Sequence, residues 1–149
     1  KLIHTSGLAL TMWIVDNARV SDILFKDTLV EYDDYMPKLK LQTSDADVYT
    51  DDYAPSFGGK LVSFNISKHF EYSFIKSEEE LGNINGVKIE DLQLYSVQKP
   101  IFAFAGDNEN SKCENVTLDG VYWNGEQISQ ELFGKQTEKN EFTSNIVMK

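Results

Sequence analysis

Apolar residues recur along this chain in an eight-residue phrase. Ile23-Leu24-Phe25-Lys26-Asp27-Thr28-Leu29-Val30 returns as Val87-Lys88-Ile89-Glu90-Asp91-Leu92-Gln93-Leu94, and again as Val116-Thr117-Leu118-Asp119-Gly120-Val121-Tyr122-Trp123. In each copy the first, third, sixth and eighth positions are mostly apolar, and the fifth is Asp, Asp or Gly. Alternation of this kind places one face of a strand against a core. The phrase therefore predicts two short strands joined by a one-residue kink. Internal repetition of such a unit is the signature of a solenoid, in which the fold is a stack of similar turns.

A second class of apolar segment falls between the copies. Residues 8–15 are almost continuously apolar, and residues 60–67 alternate, with Leu61, Ser63 and Asn65 on one side and Val62, Phe64 and Ile66 on the other. Residues 100–105 form a third short apolar run. The copies starting at Val87 and Val116 lie 29 residues apart, and those starting at Ile23 and Val87 lie 64 apart. The longer gap fits two turns. Each turn then carries about three strands, two from the phrase and one from the second class. Columns such as Phe25/Ile89/Leu118 would fill the interior, at roughly 1.5–3 kcal/mol for each large apolar side chain buried.

The remaining segments have simpler patterns. Residues 37–41 and 70–75 predict short strands. Residues 44–59, polar with aromatics, Pro55 and Gly58-Gly59, predict a long loop, and the charge run at 77–80 a solvated turn. Residues 129–140 predict the one helix, capped by Ser129, anchored by Leu132 and Phe133 and weakened by Gly134. Residues 142–148 predict a last strand. The expectation is one domain over 1–149, with coils over 1–128 and a C-terminal cap over 129–149. The open ends of a stack require caps. None is evident near residue 8, so further turns are expected upstream, in a longer chain of which this is the C-terminal part.

Composition narrows the function classes. The chain of 149 residues carries 24 acidic and 14 basic residues, a net charge of -10, and one arginine, Arg19. Phosphate binding needs clustered Lys and Arg, so nucleic acid is excluded as a partner, and an anionic membrane surface is disfavoured for the same reason. The acidic surface would favour a neutral ligand over a polyanion unless a local basic patch intervened. Cys113 is the only cysteine, which removes an internal disulfide and a thiolate cluster. No apolar run approaches the ~20 residues that span a bilayer as a helix. Two glycosylation acceptor patterns, Asn65-Ile66-Ser67 and Asn115-Val116-Thr117, both lie inside predicted strands and are read as chance matches.

Residues 16–27, beginning Asp16-Asn17-Ala18-Arg19-Val20-Ser21, resemble coils of right-handed parallel β-helix proteins with the pectin-lyase-like fold. Gly106-Asp107, then Glu114-Asn115-Val116-Thr117-Leu118-Asp119-Gly120, then Asn124-Gly125 resembles the closing coils of polygalacturonase-type glycoside hydrolases. The resemblance covers about residues 8–128. It implies an all-β, right-handed parallel β-helix of about four coils with a short C-terminal capping helix, in a secreted, extracellular or periplasmic protein. It also implies a carbohydrate polymer and upstream coils of the same protein as partners, and no cofactor. The paired aspartates and the Asn-Thr-Asp, Gly-His-Gly and Arg-Ile-Lys phrases of those enzymes are absent from this sequence. No catalytic residue is therefore carried over. The chain is expected to belong to a polysaccharide hydrolase whose catalytic carboxylates lie outside it, or else to a non-catalytic glycan-binding or adhesion module. A structural segment, such as part of a trimeric fibre, is the third reading.

Several residues could carry chemistry. The segment from Asp45 to Tyr53 joins four carboxylates to two tyrosines. Tyr49, Asp51, Asp52, Tyr53 and the nearby Phe57 form a candidate substrate-binding set, in which aromatic faces stack on a pyranose while carboxylates accept from its hydroxyls. The same segment could hold Ca²⁺ or be a plain acidic surface, and it lacks the glycine and closing glutamate of an EF-hand loop. Asp33-Asp34 could supply an acid and a base for glycoside hydrolysis, but neighbours on a strand point to opposite faces, which favours a solvated turn. His4 and His69 are too few and too scattered for a metal site. Cys113 has no histidine beside it to activate a thiolate. Trp13 and Trp123 lie in predicted strands, as packing residues or sugar-stacking platforms. Asn115 and its neighbours could form a polar ladder between turns.

Overall fold

The computed structural model describes residues 2–5, 7–32, 40–42, 49–53, 60–68 and 81–149. Along the chain these form β1 (Leu2–Thr5), β2 (Leu10–Ile14), β3 (Arg19–Tyr32), β4 (Lys40–Gln42), β5 (Tyr49–Tyr53), β6 (Lys60–Ile66), β7 (Asn83–Tyr95), β8 (Ile101–Ala105), β9 (Cys113–Trp123), β10 (Glu126–Gln127), α1 (Gln130–Gln136), β11 (Thr137–Lys139) and β12 (Thr143–Met148). The described residues are all-β with one short helix. Its predicted segments at 70–75 and 77–80 lie outside the described residues.

Two sheets carry the fold. The first runs β1-β3-β7-β9, with β12 and the short β10 both on the far side of β9; every pairing in it is parallel except β10. The second runs β2-β6-β8-β11 and is wholly parallel. The chain alternates between them, and each return adds a strand beside the last one laid down. A parallel neighbour cannot be reached through a tight hairpin, and here the opposite sheet provides the crossover. This arrangement is compatible with a solenoid-like fold. A separate antiparallel pair joins β4, which overlaps the short strand expected over 37–41, to β5, which lies in the segment expected to be loop.

The register of the first sheet reproduces the alignment of the repeated phrase. Ile23 pairs with Val87 and Val87 with Val116; Phe25, Ile89 and Leu118 form a second column, and Thr28, Leu92 and Val121 a third. The fifth position is a corner in every copy: Asp27, Asp91 and Gly120 have φ of 49°, 52° and 69°. Asp, Asn and Gly are the residues that enter this left-handed region at least cost. Each long strand is thus a set of short ones bent at a fixed place. A second corner was not evident in the sequence. It stacks Asp22, Gly86, Asn115 and Asn145, with φ of 56°, 76°, 55° and 51°.

The core lies between the sheets. Ile84, Val87, Ile89, Leu92 and Leu94 face Val62, Phe64, Ile66, Phe102 and Phe104, all buried. Phe64 stacks on Phe25 with centroids 6.3 Å apart and meets Phe104 edge-on at 5.8 Å. Leu61, expected on the face opposite Val62, Phe64 and Ile66, is buried like them, because the register against β8 shifts between Lys60 and Val62. Asparagine side chains stand in for strand pairing at the turns. Asn124 both donates to and accepts from the backbone of Ser96, at 2.9 and 3.1 Å, and Asn140 does the same to Gly106, at 2.7 and 3.2 Å.

The helix is shorter than its pattern suggested. Ser129 caps it as expected, accepting from the Leu132 amide at 3.2 Å, and Phe133 meets Phe102 edge-on at 5.0 Å. It ends at Gln136, because Thr137–Lys139 pairs with Phe102, Ala103 and Phe104 at the edge of the second sheet. Unpaired edge groups there outweigh the weak helix propensity of a threonine. β12 extends the first sheet in the same way, so the C-terminal segment adds a strand to each sheet.

Candidate functional site

The outer face of the second sheet is set by strand alternation. With Leu10, Val62, Phe64, Phe102 and Phe104 committed to the core, the intervening residues point outward. Register places them in two rows: Thr11, Ser63, Ala103 and Glu138 in one, and Trp13, Asn65 and Ala105 in the other. Within these rows the two middle strands contribute only the short side chains of Ser63, Asn65, Ala103 and Ala105, while Trp13 and Glu138 stand on the edge strands. A trough of about 330 Å³ follows, with Ser63, Asn65, Ala103 and Ala105 along its floor and Lys60, Glu138, Lys139 and Asn140 around it. Its lining comes from β6, β8, β11 and Asn140, with β2 beyond it; the two edge strands of the sheet, β2 and β11, stand three strand spacings apart, roughly 14 Å.

Trp13 rises beside this floor and is 53% exposed. Its indole Nε1 donates to Ser67 Oγ at 2.7 Å, and Asn65 Nδ2 donates to the same oxygen at 3.3 Å. The ring is therefore held in one orientation with much of its surface open. At the other end Lys60 Nζ lies 3.1 Å from a Glu138 carboxylate oxygen. These two residues belong to β6 and β11, which are not neighbours. The pair reaches diagonally across β8, from the level of Ile101, the partner of Lys60, to that of Ala103, the partner of Glu138. Along β6, Lys60 and Asn65 are separated by roughly 16 Å.

The outer face of the first sheet is different in kind. Lys26, Glu90 and Asp119 align there, Lys26 lies 3.5 Å from Glu90, and Lys88 also contacts Glu90. The hydrogen bond from Lys88 holds the Glu90 carboxyl below the usual carboxylate range, and Glu90 in turn raises Lys88. His4 lies 3.5 Å from Glu31 on the last third of this sheet. Cys113 is fully buried at the start of β9, and burial, reinforced by the charge of Glu114, pushes its thiol up to about 12. A thiol held neutral in this way is no nucleophile.

Of the candidate set, Tyr49, Asp51, Asp52 and Tyr53 lie on β5, paired with β4, where a loop was expected; Phe57 lies outside the described residues. So do Asp33, Asp34 and His69. Among the described residues no group of three or more His, Cys, Asp or Glu could hold a metal ion. Trp13 is on the outer face, whereas Trp123 is half-buried and donates to the Ser96 carbonyl at 3.0 Å. The residues that line the trough escaped the sequence as site residues, unlike Trp13 on the strand beside it. Their only signal was the run of short outward positions at 63, 103 and 105, which acquires meaning once the strands are in register. No family model, curated protein or solved structure matches this chain.

Proposed function

We propose that this chain is a segment of a right-handed parallel β-helix of about four coils in a carbohydrate-active protein, and that it holds a polysaccharide in the trough of the second sheet. Left-handed corners aligned from strand to strand, and a chain that alternates between two parallel sheets, support the β-helix reading. Right-handed crossover between parallel strands is the general rule.

One observation carries the binding reading: Trp13, oriented by Ser67, stands on the strand next to a floor of short polar and methyl side chains, in register with Asn65. A fixed aromatic face stacks on the apolar face of a pyranose, and nearby hydroxyl, amide and charged groups exchange hydrogen bonds with its rim. Among the described residues that line the trough there is a single carboxylate, Glu138. Glycoside hydrolysis uses two, so this surface by itself supports binding. In a hydrolase the catalytic pair would lie on upstream coils and the trough would extend the substrate groove. In an adhesion module the same surface would act alone. Either setting is outside the cell.

Titration with polysaccharide-derived oligosaccharides, followed by tryptophan fluorescence, tests the reading. Binding should shift the emission of the wild-type chain, and Trp13→Ala should lose both the shift and most of the affinity while keeping its melting temperature. Equal affinity in Trp13→Ala would contradict it. Release of reducing ends by the isolated chain would place catalysis within these residues and overturn the assignment of catalysis to upstream coils.

A further inference from the structure

We infer that the Lys60–Glu138 pair is a clamp for a vicinal diol, and that the ligand of the trough is a neutral glycan with free hydroxyls on neighbouring ring carbons. The inference rests on the glycan reading above and adds the chemical class of the ligand. Lys60 Nζ has three donor hydrogens, and the Glu138 carboxylate has about four acceptor sites. Their mutual contact at 3.1 Å uses only part of either. Both remain open to a ligand, with side-chain exposures of 30% and 61%. A donor and an acceptor held side by side match two adjacent hydroxyls: one sugar oxygen accepts from the ammonium, and the other hydroxyl donates to the carboxylate. Hydrogen bonds to charged partners are about twice as strong as neutral ones, which gives the clamp its selectivity.

Charge discriminates at the clamp itself. Lys60 and Glu138 offset each other there, and although Lys139 leaves the lining with one net positive charge, a uronic acid unit seated on the pair would bring its carboxylate against Glu138, on a chain of net charge -10. The clamp joins Lys60 to Glu138 on β11, which stands in the row of Ser63 and Ala103, whereas Trp13 stands on the opposite edge strand, β2. Those two edge strands are three strand spacings apart, roughly 14 Å, and two anchors at that separation select an oligosaccharide over a single sugar.

The test measures affinity of the whole chain, by calorimetry, for short oligosaccharides of cellulose, xylan, mannan and galactan. It repeats each after periodate cleavage of the diols and borohydride reduction, and includes a uronic acid oligomer. The expected result is that at least one neutral oligosaccharide binds, that periodate treatment weakens it at least about tenfold, and that Lys60→Met and Glu138→Gln each do the same with unchanged circular dichroism. Undiminished binding after periodate treatment, unchanged affinity in both variants, or preference for the uronic acid oligomer would overturn the clamp and leave the glycan reading standing. No binding by any member of the panel would overturn both. The periodate comparison uses the unaltered protein, so it decides the matter even if a variant fails to fold.

Discussion

Asn115 Nδ2 donates to Asn85 Oδ1 at 2.8 Å, and Asn145 repeats the contact one strand further on, donating to Asn115 Oδ1 at 2.6 Å. This asparagine ladder runs across three strands beside the corner that Gly86, Asn115 and Asn145 share. It does two jobs at once, since Asn115 also holds φ at 55°. Asn115→Ala removes both contacts and places a Cβ with no compensating side chain in the left-handed region. It should cost about 2 kcal/mol. Asn115→Gly removes the contacts and relieves the backbone, and should cost about 1 kcal/mol or less. Urea denaturation of the two variants separates the ladder from the corner; equal losses would mean that the corner carries no strain.

Phe64 is the central side chain of the core, fully buried between Phe25 and Phe104. Phe64→Ala should destabilise the chain by about 3–5 kcal/mol. Phe25 is only partly buried at its end of the column, so Phe25→Ala should cost clearly less. The midpoint of urea unfolding orders the pair, and a reversed order would contradict the packing described.

Burial raises the pKa of Cys113 to about 12 from an ordinary value of 9.0. The folded state therefore keeps its proton where the unfolded state loses it. The sign follows: this contribution to stability is fully present below pH 9 and is lost as pH rises toward 12, by up to about 1.4 kcal/mol per pH unit. Burial also raises Tyr32, whose hydroxyl is buried with no hydrogen-bond partner among the described residues, and it acts in the same direction at higher pH. Thermal melts between pH 8 and 11 should show a steeper decline in the wild-type chain than in Cys113→Ala. Parallel declines would place the thiol in contact with water.

The repeated phrase made the first sheet legible because its register is written in the sequence. The inward positions match copy by copy, and Asp27, Asp91 and Gly120 mark a corner that few other residues tolerate. The second corner was harder to see because Asp22, Gly86, Asn115 and Asn145 stand just before the first apolar position, where alternation gives no phase to lose. The helix was extended too far because nothing local marks Gln136 as its end; the partner that stops it, β8, is about thirty residues earlier in the chain. The trough was least legible of all. Trp13, Lys60, Asn65, Ala103 and Glu138 come from four strands, and only the parallel register of the second sheet brings them to one surface.

The most direct measurement is a residue-by-residue map of amide chemical shifts in isotopically labelled chain, recorded while a bound oligosaccharide is titrated in. The account predicts changes concentrated at Trp13, Lys60, Ser63, Asn65, Ala103, Ala105 and Glu138, with the Lys26–Glu90–Asp119 face of the first sheet unmoved. Changes centred on that charged face, or on Tyr49–Tyr53, with the trough silent, would contradict it.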